Sequence, residues 1–97
     1  MSMDAVITVH LEISGRVQGV GFRESMRAVA QALQVNGWVC NRADGMVEAI
    51  VQGEEADVER VIAWCHNGPP DAFVKFIETD LVEGGEIFIT FTRLPSR

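Results

Sequence analysis

Between Ile7 and Leu33 the hydrophobic period changes from that of a strand to that of a helix, and the change falls on a run with three glycines. Ile7, Val9, Leu11 and Ile13 alternate with Thr8, His10, Glu12 and Ser14, which predicts a strand buried on one face. His10 lies on its polar side, which points to a solvated or cross-strand role. Phe22, Met26, Val29, Ala30 and Leu33 then recur at helical spacing, with Arg23, Glu24, Arg27, Gln31 and Gln34 elsewhere on the surface. Asn36-Gly37 is the expected end of that helix, since both residues tolerate the left-handed backbone of a C-cap. Gly15-Arg16-Val17-Gln18-Gly19-Val20-Gly21 must therefore connect a strand to a helix N-terminus.

The remaining elements follow from the same rules. Trp38 to Arg42 and Met46 to Gln52 read as strands joined by Ala43-Asp44-Gly45, whose Asp-Gly pair favours a hairpin. Val39 and Asn41 share one face of the first, with Trp38, Cys40 and Arg42 on the other; Val47, Ala49 and Val51 share a face of the second. Glu54, Glu55 and Asp57 suit the start of a helix, Val58, Val61, Ile62 and Cys65 form its apolar stripe, and Gly68-Pro69-Pro70 stops it. His66 fits as a complement to the helix dipole near its end, and Trp64 as packing at the edge of the stripe. Phe73 to Val82 and Glu86 to Arg93 read as two extended strands around Glu83-Gly84-Gly85. The order β-α-β-β-α-β plus a C-terminal strand predicts an α+β fold, a ferredoxin-like two-layer sandwich in which an antiparallel sheet carries two helices on one face. With 97 residues, a single domain spanning 1–97 is expected.

Composition excludes several functions. The net charge of −6 opposes general nucleic-acid binding, which needs a basic face, and no stretch approaches the roughly 20 apolar residues of a membrane span. Asp4, His10 and Glu12 interrupt the apolar residues at the N-terminus, so a cytoplasmic protein is expected. Cys40 and Cys65 lack metal-ligand spacing and are expected as buried or half-buried free thiols, so no metal site is read. Charge is nevertheless uneven. Arg16, Arg23, Arg27 and Arg42 face Glu24 alone between Ser14 and Ala43, a local excess of three positive charges that would attract a small anion.

The glycine run is the natural place for that anion. Glycines let backbone N–H groups turn inward, and the free N–H groups of a helix N-terminus favour phosphate. A tight connection with no ligand is the bland alternative. Arg23 weighs against it, because a cation in a first helical turn is disfavoured by about 0.3–1 kcal/mol and the mismatch disappears if an anion binds between it and the N–H groups. The spacing is that of neither a dinucleotide fingerprint nor a nucleotide P-loop. Asn41 has two readings: a strand-end residue bonding its own backbone, or an amide that holds a water molecule.

The loop Gly15 to Arg23, followed by Gly37-Trp38-Val39-Cys40-Asn41, Asp44-Gly45-Met46-Val47-Glu48 and Gly68-Pro69-Pro70, resembles the acylphosphatase family over nearly the whole chain. Cys40 stands where a basic residue is common in that family, and the Glu83-Gly84-Gly85 connection is shorter than in many of its members. The resemblance implies the sandwich fold already read and hydrolysis of the carboxyl–phosphate bond of small acyl phosphates to carboxylate and inorganic phosphate. By the same resemblance Arg23 and Asn41 are the catalytic residues, with Asn41 orienting water, and Gln18, Gly19, Val20, Gly21, Phe22 and Arg23 bind the substrate phosphate. It implies no cofactor and no metal. A monomer acting on a small molecule, without nucleic-acid or membrane partners, is expected. The alternative is a catalytically silent phosphate- or carboxylate-binding module.

Overall fold

The computed structural model describes residues 5–97, so Asp4 lies outside the described residues. Its elements run β1 (Val6–Arg16), α1 (Phe22–Ala32), β2 (Asn36–Asn41), β3 (Val47–Glu54), α2 (Glu55–Asn67), β4 (Phe73–Leu81) and β5 (Phe91–Arg93). The strands form one sheet in the order β4-β1-β3-β2-β5. The pairs β1/β3, β1/β4 and β2/β3 are antiparallel, as expected. The fifth strand departs from the expected antiparallel sheet, because β5 lies parallel to β2, from Gly37 opposite Phe91 to Val39 opposite Arg93.

That placement explains a second difference. Glu86 to Arg93 is expected as one strand, yet only Phe91–Arg93 is. β4 and β5 occupy opposite edges of the sheet, so the chain between them must cross its end and cannot pair along it. The crossing runs from Val82 to Thr90 rather than through Glu83-Gly84-Gly85 alone, and leaves Ile87 and Ile89 exposed. Polar side chains at the strand ends fasten it. Gln52 is buried; its Nε2 donates to Glu86 O (2.9 Å) and Thr8 Oγ1 (3.0 Å), while its Oε1 accepts from Phe88 N (2.8 Å). Asn36 Nδ2 donates to Phe88 O at 3.0 Å.

The core follows the sequence periods. Val9, Leu11 and Ile13 of β1, Val39 of β2 and Val47, Ala49 and Val51 of β3 meet Phe22, Met26 and Ala30 of α1 and Val58, Val61 and Cys65 of α2. Phe22 meets Trp64 edge-on, with ring centroids 5.4 Å apart, so Trp64 packs beside the stripe as expected. Both cysteines are free and buried, and burial pushes the Cys65 thiol up to about 12. No helix among the described residues is long and apolar enough to cross a membrane.

Helix α1 ends four residues before Asn36-Gly37, at Ala32. Gln34, at φ 59°, takes the left-handed position, with Gln34 N donating to Gln31 O and Val35 N to Ala30 O. This is a Schellman ending, and buried Val35 supplies its apolar contact. Gly37 serves another purpose. It lies inside β2, where a Cβ would stand 1.9 Å from Ile50 O, so the close approach of β3 excludes any side chain.

Candidate active site

Strand direction decides which residues can meet. The C-terminal end of β1, the N-terminal end of β3 and the C-terminal ends of β2 and β5 fall at one end of the sheet. The loop 17–21, Asn41 and Arg93 therefore converge beside the N-terminus of α1.

The loop is anchored at both ends by apolar side chains. Val17 and Phe22 are buried, and Val20 packs against the core from a partly buried position. Gly19 and Gly21 have φ of 73° and 80°, the left-handed region where a Cβ is strained, and a Cβ at either would meet no protein atom within 4 Å. Gly21 is the N-cap of α1 and provides no side-chain cap. Among the described residues, and outside the helices and strands, residues 18–22 donate no backbone-to-backbone hydrogen bond, while Gly21 O accepts from Ser25 N. The first-turn N–H groups of α1 are thus free to meet an anion.

Gln18 fastens this loop to the β2-β3 hairpin. Its Nε2 donates to Arg42 O (2.8 Å) and Met46 O (2.9 Å), the two residues that close the turn through Arg42 N to Met46 O. The hairpin is itself rigid. Gly45 has φ 92°, and Asp44 Oδ1 accepts from Met46 N at 3.0 Å.

Asn41, the last residue of β2, lies on the Val39 face beside the loop. Its Oδ1 is buried and accepts no hydrogen bond from any described residue. Arg23 extends from α1 to the C-terminal segment, where its Nη1 donates to Leu94 O at 3.2 Å. That segment is tied to β2 by Leu94 N to Val39 O and Arg97 N to Asn41 O. Gly19, Gly21, Phe22, Arg23 and Asn41 line a cleft of about 120 Å³, together with Val17, Arg93 and the acidic Glu24. Of the six residues expected around a phosphate, Gln18 and Val20 do not line it, because Gln18 is held by the hairpin and Val20 packs on the core.

The charge around the cleft differs from that of the sequence segment. Arg42 is engaged by Glu12 and, at 2.6 Å, by Asp44; Arg27 is engaged by Glu24 at 2.8 Å. These carboxylates raise both guanidinium pKa values, through hydrogen bonds first. Arg42 is thus neutralised at the hairpin, and Arg27 by Glu24, which itself borders the cleft. Arg23 remains, and Arg93 joins it from outside the segment. Arg93 escaped the sequence reading because the partner of the last strand was not legible. Its two-residue offset from the apolar Phe91 was the available signal for its face.

A groove of about 420 Å³ lies at the other end of β1, between Val6-Ile7-Thr8 and the 82–87 crossing. It has no lysine or arginine among its lining residues, and the amide of Gln52 is already bonded there, so it does not suit a phosphate. No group of three or more His, Cys, Asp or Glu residues among the described residues could hold a metal ion.

The acylphosphatase family model matches residues 9–92. An acylphosphatase of Thiobacillus denitrificans is 54% identical over 77 residues, covering 79% of this chain and 86% of that protein. The solved structure of an acylphosphatase from Coxiella burnetii matches with TM-score 0.89 and 34% identity, covering 97% of this chain and 100% of that one. The acylphosphatase structure from Bacillus subtilis matches with TM-score 0.88 and 32% identity, over 91% of this chain and 98% of that one.

Proposed function

Because this chain belongs to the acylphosphatase family and is a hydrolase of that type, we propose that Arg23 and the loop backbone hold the phosphate of a small acyl phosphate while Asn41 orients the attacking water. The observation that carries this reading is that Asn41, whose buried Oδ1 accepts from no described residue, lines the same cleft as Arg23 and the glycine loop. A buried acceptor without a donor costs about 1–3 kcal/mol, and a water molecule donating to it removes that cost. Asparagine is too weak a base to take the proton; it can only aim the water's lone pair.

An acyl phosphate carries its own good leaving group, so the protein must neutralise phosphate charge and position water rather than supply a nucleophile. The water oxygen forms the new bond to phosphorus, the bond from phosphorus to the carboxylate oxygen breaks, and that electron pair leaves with the carboxylate. A phosphate oxygen accepts the water proton. Arg23 offers two directional N–H bonds to phosphate oxygens, and its bond to Leu94 O fixes the fork beforehand. The N–H groups of residues 18–22 supply the remaining donors, including Gln18 and Val20, whose side chains point elsewhere.

In this reading the products are carboxylate and inorganic phosphate, with no cofactor or metal. Arg23, Asn41 and the loop line one cleft within a single chain, so the reading takes a monomer as the acting unit. The acidic net charge supports a small-molecule substrate rather than nucleic acid or an anionic membrane surface, and the reading places that reaction in the cytoplasm. Phosphate release from benzoyl phosphate, measured for wild type and Arg23→Gln with and without a chelator, tests the mechanism. Wild type should turn over equally in both conditions, and Arg23→Gln should lose about 10²- to 10³-fold. Phosphate binding without turnover would make the chain a silent binding module, and loss of activity to the chelator would overturn the metal-free reaction.

A further inference from the structure

We infer that Arg93 is a specificity residue, which favours acyl phosphates whose acyl chain carries a second negative charge, such as a terminal carboxylate. The inference rests on the proposed seat of the phosphate at the loop and Arg23, and concerns the other half of the substrate.

Arg93 closes β5 directly across from Val39, two residues before Asn41 on the neighbouring strand. Two residues after buried Phe91, it lies on the helix-covered face of the sheet, where the strand reaches the start of α1. It lines the same cleft as Arg23 and Asn41, and its ion-pair partner Glu24 lines it too. The phosphate donors come from the loop and the α1 terminus, so Arg93 stands on the side left for the acyl group.

Its present partner is easily exchanged. Arg93 Nη1 reaches Glu24 Oε1 at 3.3 Å, whereas Arg27 Nη2 holds the other oxygen of Glu24 at 2.8 Å. The hydrogen bond from Arg27 is the largest cause that holds the Glu24 pKa below its ordinary value, and Arg93 adds a smaller one. When Arg93 turns toward a ligand, Glu24 remains paired with Arg27 and no charge is abandoned. The Arg93 side chain is 47% exposed, which leaves it room to turn. Arg23, by contrast, is tied to Leu94 O and belongs to the phosphate. A second guanidinium beside a neutral acyl chain would have nothing to bind; beside a carboxylate it forms a charge-assisted pair.

Two substrates of equal chain length separate these cases. Glutaryl phosphate ends in a carboxylate and pentanoyl phosphate in a methyl group, so the ratio of their kcat/KM values reports the acyl end alone. Arg93→Met should lower that ratio about tenfold. Glu24→Gln, which releases Arg93 from its ion pair, should raise it. Inhibition by inorganic phosphate is measured in parallel. A ratio unchanged in both variants overturns the inference. Equal losses on both substrates in Arg93→Met, with weaker inhibition by phosphate, also overturn it and make Arg93 a phosphate ligand. If wild type hydrolyses neither substrate, the hydrolytic mechanism itself fails, and the inference with it.

Discussion

Asn41 buries a side-chain carbonyl oxygen that accepts no hydrogen bond from any described residue, a cost a purely structural residue would have no reason to carry. Its backbone carbonyl is used, since Asn41 O accepts from Arg97 N, and the strand places it opposite Val47. The strand-end reading of this residue therefore does not account for its side chain. Asn41→Ala removes the amide while leaving Arg23, the loop and the strand pairing in place. We expect kcat to fall by about 10²- to 10³-fold, with the inhibition constant of inorganic phosphate changed less than threefold. Comparable losses in both quantities would remove the water-orienting role. Gln18 is the complementary case. Sequence placed its backbone in the cradle, while its side chain proves to fasten the loop to the hairpin that carries Asn41.

At the scale of the elements, the loop, the hairpin and β5 form one rigid end of the sheet, and the 82–90 crossing forms the other. Gln52 is the main fastener of that second end through three hydrogen bonds, two of them to the crossing backbone. Gln52→Leu would leave Phe88 N and Thr8 Oγ1 without this partner. We expect a loss of about 1–3 kcal/mol in unfolding free energy, read from urea denaturation. Phosphate release should be preserved, because the cleft lies at the opposite end of β1. A parallel collapse of activity under native conditions would show that the crossing is coupled to the site. The end of α1 shows how tertiary packing overrides a local signal: Gly37 is claimed by the close approach of β3, so Gln34 takes the left-handed position instead.

For the whole molecule, the negative net charge is held in specific pairs as well as spread over the surface. Asp44 has its pKa lowered first by the hydrogen bond from Met46 N and then by Arg42, opposed by partial desolvation. A carboxylate with a lowered folded-state pKa contributes stability above its unfolded pKa, about 3.9 for Asp, and loses it as pH falls through the folded value. Asp44→Asn should therefore be less stable than wild type at pH 7. The gap in their urea midpoints should narrow below about pH 4 and close at lower pH. A gap that stays constant down to pH 2.5 would show that the charge on Asp44 contributes nothing. Glu24 follows the same sign through Arg27 and Arg93, which links acid sensitivity to the edge of the cleft.

Both helices, the hairpin and the four antiparallel strands were legible because period, caps and turn chemistry act over a few residues. Phe22, Met26 and Ala30 face the core as their spacing requires, and Gly19, Gly21 and Arg23, read together in sequence, line one cleft beside the start of α1. Only the tertiary structure decided where β5 pairs, because parallel pairing with β2 depends on a crossing that no local signal encodes. With that pairing came Arg93 and the Leu94 carbonyl that holds Arg23. The sorting of arginines was likewise decided at long range: Arg42 found Glu12 across 30 positions of sequence, while Arg23 was left to the cleft. Charge counted along a segment gives the sum; the fold decides which charges remain unpaired.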